Sequence, residues 1–261
     1  MNIVTEIIGI IILGLIVGSF LNVCIIRLPK QKDNIFRESR CVKCKNKIDW
    51  YNNIPLLSYL WLGGKCKKCK KKISWMYPVV EGLTAVIFYM SYQNHELSLD
   101  LIFILIFFSA LIVIFFTDFN YFLIFDVVTL PLTALGVIIS LFNMNPFYIT
   151  ALDSIFGAVI GYLIIYLIRW IYFKIKKVEG MGLGDAKLFL AIGAWLGVNS
   201  LLFVLFVSAL LGSVYGIIYI IIKKKNKKTE LAYGCFIILA VVLYQFFGKD
   251  FYNFINHPFV L

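Results

Sequence analysis

Long, almost uncharged apolar stretches limit what this chain can fold into. Residues 5 to 26 and 201 to 222 are the clearest. A helix of about 20 apolar residues crosses a hydrocarbon core of about 30 Å. Across 261 residues, 61% are hydrophobic, and a water-soluble protein so composed would expose far too much apolar surface. The expected fold class is therefore an all-α polytopic membrane protein. About eight transmembrane helices are expected, at 5–26, 77–93, 99–117, 122–143, 149–173, 186–197, 201–222 and 231–247. No Lys or Arg precedes the first stretch, so it lacks the basic region of a cleavable signal and reads as a retained span. The sixth is short, which suits a glycine-rich lead-in that is partly inserted, or a locally thin membrane.

Charge then orients the spans. The formal net charge is +11. From Arg27 to Tyr77 there are fourteen Lys and Arg against Asp33, Glu38 and Asp49, a surplus of eleven that accounts for the whole. Nucleic-acid binding is one reading of such a loop. Retention of basic loops in the cytoplasm is the simpler one, and no nucleic-acid partner is expected. Other basic runs are Lys174 to Lys177 and Lys223 to Lys228, whereas the remaining linkers are poor in Lys and Arg. Eight spans with both termini outside put every basic run inside. The tail from Phe251 onward reads as interfacial. The domains expected are 1–26, a first helix; 27–76, a cytoplasmic loop; and 77–261, a membrane domain of about seven helices.

That loop holds four of the six cysteines, as Cys41-x2-Cys44, 21 intervening residues, and Cys66-x2-Cys69. Each pair sets two thiolates on one turn, and two such pairs make a four-cysteine zinc site resembling a zinc ribbon. Disulfides are disfavoured in a cytoplasmic loop. A segment this short builds little core, so the metal would supply folding energy and no chemistry. Between the pairs, Asn53 to Leu60 is an apolar patch suited to the membrane surface, where basic loops attract anionic lipids. Cys24 and Cys235 read as small buried hydrophobes.

Carboxylates near membrane spans are costly and seldom idle. Asp118 ends the third span and Asp185 begins the sixth, within Gly180-Met181-Gly182-Leu183-Gly184-Asp185. The topology places both at the cytoplasmic face. A pair of this kind could share one proton as an aspartic protease dyad, bind a cation, or relay protons in an ion-coupled transporter. A non-enzymatic scaffold would leave Asp185 without a task. A turn is expected between Asp118 and Asp126. Asp153 reads as a capping or rim residue, Glu81 as a cap one turn into its helix, and Asn22 as a partner for a neighbouring helix.

Five motifs in order resemble the type IV prepilin leader peptidases, membrane aspartic proteases of the Gly-x-Gly-Asp kind. They are Gly18 to Val23 with Arg27-Leu28-Pro29; the paired cysteines with Asn53 to Leu60 and Gly64-Lys65-Cys66; Ile73 through Tyr77-Pro78 to Glu81; Asp118 with Asp126 and Thr129-Leu130-Pro131; and Gly180 to Leu188 with Ile192 to Gly197. The resemblance implies a bacterial cytoplasmic-membrane enzyme with Asp118 and Asp185 as its catalytic pair. It implies prepilins and pseudopilins as substrates, cut after a glycine at the inner face. It also implies methylation of the new N-terminus with S-adenosylmethionine. Gly180, Gly182 and Gly184 would admit an extended substrate strand. Lys187, Asp126, Glu81 and Asn22 are further candidates for substrate or cofactor binding, Asp126 more as a support. The chain departs from the family pattern at Met76, Asn120 and Phe125. It departs again at Leu231 to Cys235, which replaces a run resembling Pro-Phe-Gly-Pro.

Overall fold

The computed structural model describes residues 3–30, 38–178, 180–223 and 231–256. The basic run at 224–228 and the end of the expected interfacial tail, 257–261, lie outside them, as do residues 31–37 and Glu179. The described helices are α1 (Ile3–Arg27), α2 (Leu57–Trp61), α3 (Met76–His95), α4 (Leu99–Tyr121), α5 (Asp126–Leu141), α6 (Ala151–Lys176), α7 (Leu183–Leu196), α8 (Val198–Lys223) and α9 (Tyr233–Asn256). Strand pairing among the described residues is limited to two isolated bridges, Arg40 with Lys47 and Lys65 with Lys72. The all-helical class is therefore as expected. Among the described residues, four helical segments are long and apolar enough by themselves to cross a membrane: Ile3–Lys30, Leu99–Tyr121, Ala151–Lys176 and Val198–Ile222. Asp126–Leu141 and Tyr233–Gly248 are apolar but shorter. The α3 helix carries buried Glu81, Thr84 and Ser91, and α7 has only 14 residues, so neither resembles a simple lipid-facing span.

The chain forms two compact units, Met1–Val113 and Ile114–Leu261, divided inside α4. In the first, α1, α3 and the start of α4 share a core of Ile10, Phe88, Tyr92, Leu101 and Leu105. The Tyr92 hydroxyl donates to Glu6 Oε2 at 2.7 Å, which gives the polar tip of a buried ring its partner. The cysteine segment folds as two matching knuckles. In one, Cys41 N–H donates to the Asn46 carbonyl and Lys45 N–H to the Cys41 carbonyl; in the other, Cys66 N–H donates to Lys71 and Lys70 N–H to Cys66. Lys45 and Lys70 both sit at φ 57°. The repetition of Cys-x2-Cys is thus a repetition of backbone conformation too.

In the second unit, α7 is the buried element: ten of its fourteen residues are buried, Trp195 among them. Its rise of about 21 Å is shorter than a hydrocarbon core. Close approach to α6 explains the small residues. A Cβ added at Gly193 would lie 2.0 Å from the Gly157 carbonyl oxygen, so the two backbones touch there. Trp195 Nε1 donates to the Leu132 carbonyl at 2.7 Å, anchoring α7 to α5. Gly197, at φ 75°, breaks the chain between α7 and α8. Asp153 caps as expected, but on another helix: its Oδ1 accepts the Val198 N–H at 3.1 Å, at the start of α8.

Gly193→Val should therefore lower the thermal unfolding midpoint of the detergent-solubilised protein, with an overpacking cost of about 1–3 kcal/mol or more. Gly82→Ala, where a Cβ meets nothing within 4 Å, should leave the midpoint unchanged or raise it slightly.

Candidate active site and cysteine cluster

Asp118 lies in the last turn of α4 and is 5% exposed. The chain then leaves the helix at Phe122, φ 55°, and re-enters one at Asp126. The expected turn is present, so Asp118 and Asp126 are not on one helix. Asp118 Oδ2 accepts the Cys235 N–H at 3.1 Å, from the first turn of α9. A helix start offers free N–H groups and a partial positive charge, so a carboxylate there is well placed. Gly234 makes the approach possible, since a Cβ there would lie 2.8 Å from Asp118 Oδ2.

Asp185 lies inside α7, not before it, and is 8% exposed. Its Oδ2 accepts the Gly182 N–H at 3.2 Å, closing the first turn of its own helix. Asp118 and Asp185 are within electrostatic reach of one another. Ile124, from the α4–α5 turn, touches both sides of the site. It lies 2.9 Å from the Cβ position of Gly184 and 2.9 Å from that of Gly234. The lead-in to α7 is held from α6, where Arg169 Nε donates to the Met181 carbonyl at 3.0 Å.

The expected glycines thus contact the protein itself: Gly180 packs on the Tyr172 ring, Gly182 on Asp185 and Gly184 on Ile124. Lys187 and Asp126 engage each other, with Nζ 2.7 and 2.6 Å from the two carboxylate oxygens, and join the starts of α5 and α7. The sequence reading did not single out Ile124 or Arg169, and it treated Cys235 as a buried hydrophobe. The Cys235 thiol is buried, donating to the Phe115 carbonyl at 3.3 Å, but its backbone amide holds Asp118. The one signal was that Leu231 to Cys235 stands where the family pattern has its last motif.

In the first unit, the Sγ atoms of Cys41, Cys44, Cys66 and Cys69 all lie within 4.8 Å of one another. Cys41 and Cys69 are 3.9 Å apart. A tetrahedral site with metal–sulfur bonds of about 2.3 Å separates its sulfurs by about 3.8 Å, so the donors suit a metal and none is in a disulfide. Backbone N–H groups of Cys69 and Lys68 pull the Cys66 thiol down to about 6. The Lys71 amide pulls Cys69 down too, but burial and hydrogen bonds with the other three sulfurs outweigh it and push Cys69 up to about 11. Four thiolates this close repel, and a divalent cation removes the conflict.

Asn22 and Glu81 both lie in this unit, on the facing helices α1 and α3. Asn22 Nδ2 donates to the Tyr77 carbonyl of α3 at 3.0 Å, as expected of an inter-helix partner. Glu81, 7% exposed, accepts the Leu56 N–H at 2.9 Å. It does not cap its own helix; it takes the amide at the start of α2 and fastens the inter-knuckle segment to α3.

Two family models match the chain: the bacterial peptidase A24 N-terminal domain over residues 12–95, and the type IV leader peptidase family over residues 105–217. A protein of Xanthomonas campestris is 32% identical over 91% of this chain and 90% of its own length. One of Pseudomonas aeruginosa is 32% identical over 88% and 86%, and one of Dichelobacter nodosus 37% identical over 78% and 80%. Each is named a prepilin leader peptidase/N-methyltransferase. No solved structure matches. The chain belongs to the type IV leader peptidase family.

The Lys187–Asp126 pair is partly exposed and should contribute little. A double-mutant cycle of Lys187→Met and Asp126→Asn, read by thermal unfolding, is expected to give a coupling below about 1 kcal/mol.

Proposed function

We propose that this member of the leader peptidase family removes the short basic leader of type IV prepilins and pseudopilins. Cleavage follows a glycine at the cytoplasmic face, and the new N-terminal amine is then methylated. The observation that carries the reading is the burial of Asp118 and Asp185 within reach of each other, each on a backbone amide, in a chain 32% identical over 91% of its length to an enzyme so named. Family membership favours proteolysis over the ion-coupled transport that two carboxylates alone would also allow.

In the reading, two neighbouring carboxyl groups share one proton, because both cannot ionise cheaply in a low-dielectric place. The ionised member takes a proton from a water whose oxygen attacks the scissile carbonyl carbon. The protonated member gives its proton to the carbonyl oxygen, leaving a gem-diol. Transfer of a proton to the amide nitrogen then lets the carbon–nitrogen bond break, releasing leader and mature pilin. Cys235 N–H, Gly182 N–H and Arg169 act by positioning. The topology has eight spans with both termini extracytoplasmic, so that Asp118, Asp185 and the basic loop meet the inner leaflet and its anionic lipids. This is the organisation 1–26, 27–76 and 77–261. Zinc occupies Cys41, Cys44, Cys66 and Cys69 as a structural ion. S-adenosylmethionine supplies the methyl group.

Co-expression with a prepilin, followed by intact mass, tests the proteolytic reading. Asp118→Asn and Asp185→Asn should each leave the leader attached in an inserted protein; normal processing by either would end the assignment. Gly234→Ala, which drives a methyl group against Asp118, should slow cleavage by at least tenfold. Purified protein should hold one zinc per chain by elemental analysis. Cys66→Ser should release it and lower the unfolding midpoint, whereas Cys24→Ser should do neither.

A further inference from the structure

Asn22 is 1% exposed. Its Nδ2 donates to the Tyr77 carbonyl, and this fixes the amide orientation, because the reverse would set oxygen against oxygen. Oδ1 is thereby left without a hydrogen-bond partner, alone among the buried side-chain nitrogen and oxygen atoms of the described residues. A buried acceptor with no donor is costly and calls for a group that fills it.

Glu81 lies one turn further along the same α1–α3 contact. Tyr77, which receives the Asn22 amide, lies one turn before Glu81 on α3. On α1, a Cβ at Gly18 would lie 2.7 Å from the Glu81 Cα. The carboxylate receives hydrogen bonds from Leu56 N–H and the Ser19 side chain. Both donors are neutral, and no cation pairs with Glu81 among the described residues. Ionised oxygens retain further acceptor capacity. The third part is backbone strain. Leu56 stands at φ 57° and ψ −50°, in a tight turn with Leu57 N–H on the Pro55 carbonyl at 2.6 Å. A non-glycine residue held this way is a strained one, and such strain gathers at binding sites. Here it aims the Leu56 N–H at Glu81.

A buried carboxylate with neutral partners, one helical turn from a buried amide oxygen with none, is a place for a positively charged donor. We propose that Glu81 and Asn22 bind a primary ammonium group. The proposal rests on the methyl-transfer reading above and deepens it. Two participants in that reaction carry such a group, the amino-acid end of S-adenosylmethionine and the newly exposed N-terminus of the pilin. The orphaned Oδ1 and the buried carboxylate suit either. A carboxylate against an ammonium is a charge-assisted hydrogen bond, about twice as strong as a neutral one.

The test is calorimetry on full-length, zinc-loaded enzyme in detergent, with two matched probe pairs. The first pair is S-adenosylhomocysteine, which has the ammonium, and its N-acetyl derivative, which lacks the ammonium and keeps the carboxylate. The second is a mature pilin N-terminal peptide with a free or an acetylated end. Wild type should prefer the ammonium member of one pair by tenfold or more, and that pair identifies the source. Glu81→Gln keeps an acceptor for Leu56 and removes the charge; Asn22→Leu removes the free oxygen. Both should erase the preference while leaving binding of the member without the ammonium within twofold. A wild type with no preference in either pair overturns the proposal, even where a variant fails to fold. So do variants that retain the preference. A wild type that shows the preference but adds no methyl group in the mass assay sinks the methyl-transfer reading and leaves the ammonium site standing.

Discussion

The second unit depends on putting carboxylates where apolar helices would otherwise exclude them. An isolated charge in such surroundings is prohibitive. The chain meets this with backbone amides at helix starts, where the regular i to i−4 bonding of the helix is not yet complete. Asp118 takes one from α9 and Asp185 takes one from its own first turn. Each carboxylate relieves a helix end and each helix end shelters a carboxylate, so neither end of the bargain could be altered alone. Gly234 follows from this, since any side chain there would occupy the space of the Asp118 oxygen.

Much of this was legible in the sequence. The apolar stretches located the long helices, because their lengths are set by a fixed rise per residue. The cysteine spacing foretold a cluster, because two residues between thiols make one turn. Asp118 and Asp185 stood out because carboxylates are rare beside such stretches. The rest was hidden for physical reasons. Cys235 acts through its amide, and a backbone group leaves no trace in residue type. Ile124 is one apolar residue among many. Glu81 and Asp153 act away from their own helix starts. Both sit where a helix-start carboxylate should cap its own helix, yet their hydrogen bonds go to chain far away in sequence, Leu56 and Val198. Lys187 and Asp126 looked available for a ligand and are engaged with each other.

The cysteine segment shows how a small domain manages without a core. Its two knuckles repeat the same backbone hydrogen bonds and the same left-handed lysine. The sulfurs are therefore gathered by local geometry, and a metal finds donors already assembled. Backbone amides draw the Cys66 thiol down to about 6, toward the thiolate form that a metal ligand takes.

The contact between Gly157 and Gly193 has a mechanical consequence. With backbone against backbone there are no interposed side chains whose rotamers could change to let one helix slip along the other. The α6–α7 pair is a single strut, and Asp185 is bolted to it. Motion around Asp185 is therefore left to the lighter parts around the strut, the α4–α5 turn that carries Ile124 and the start of α9.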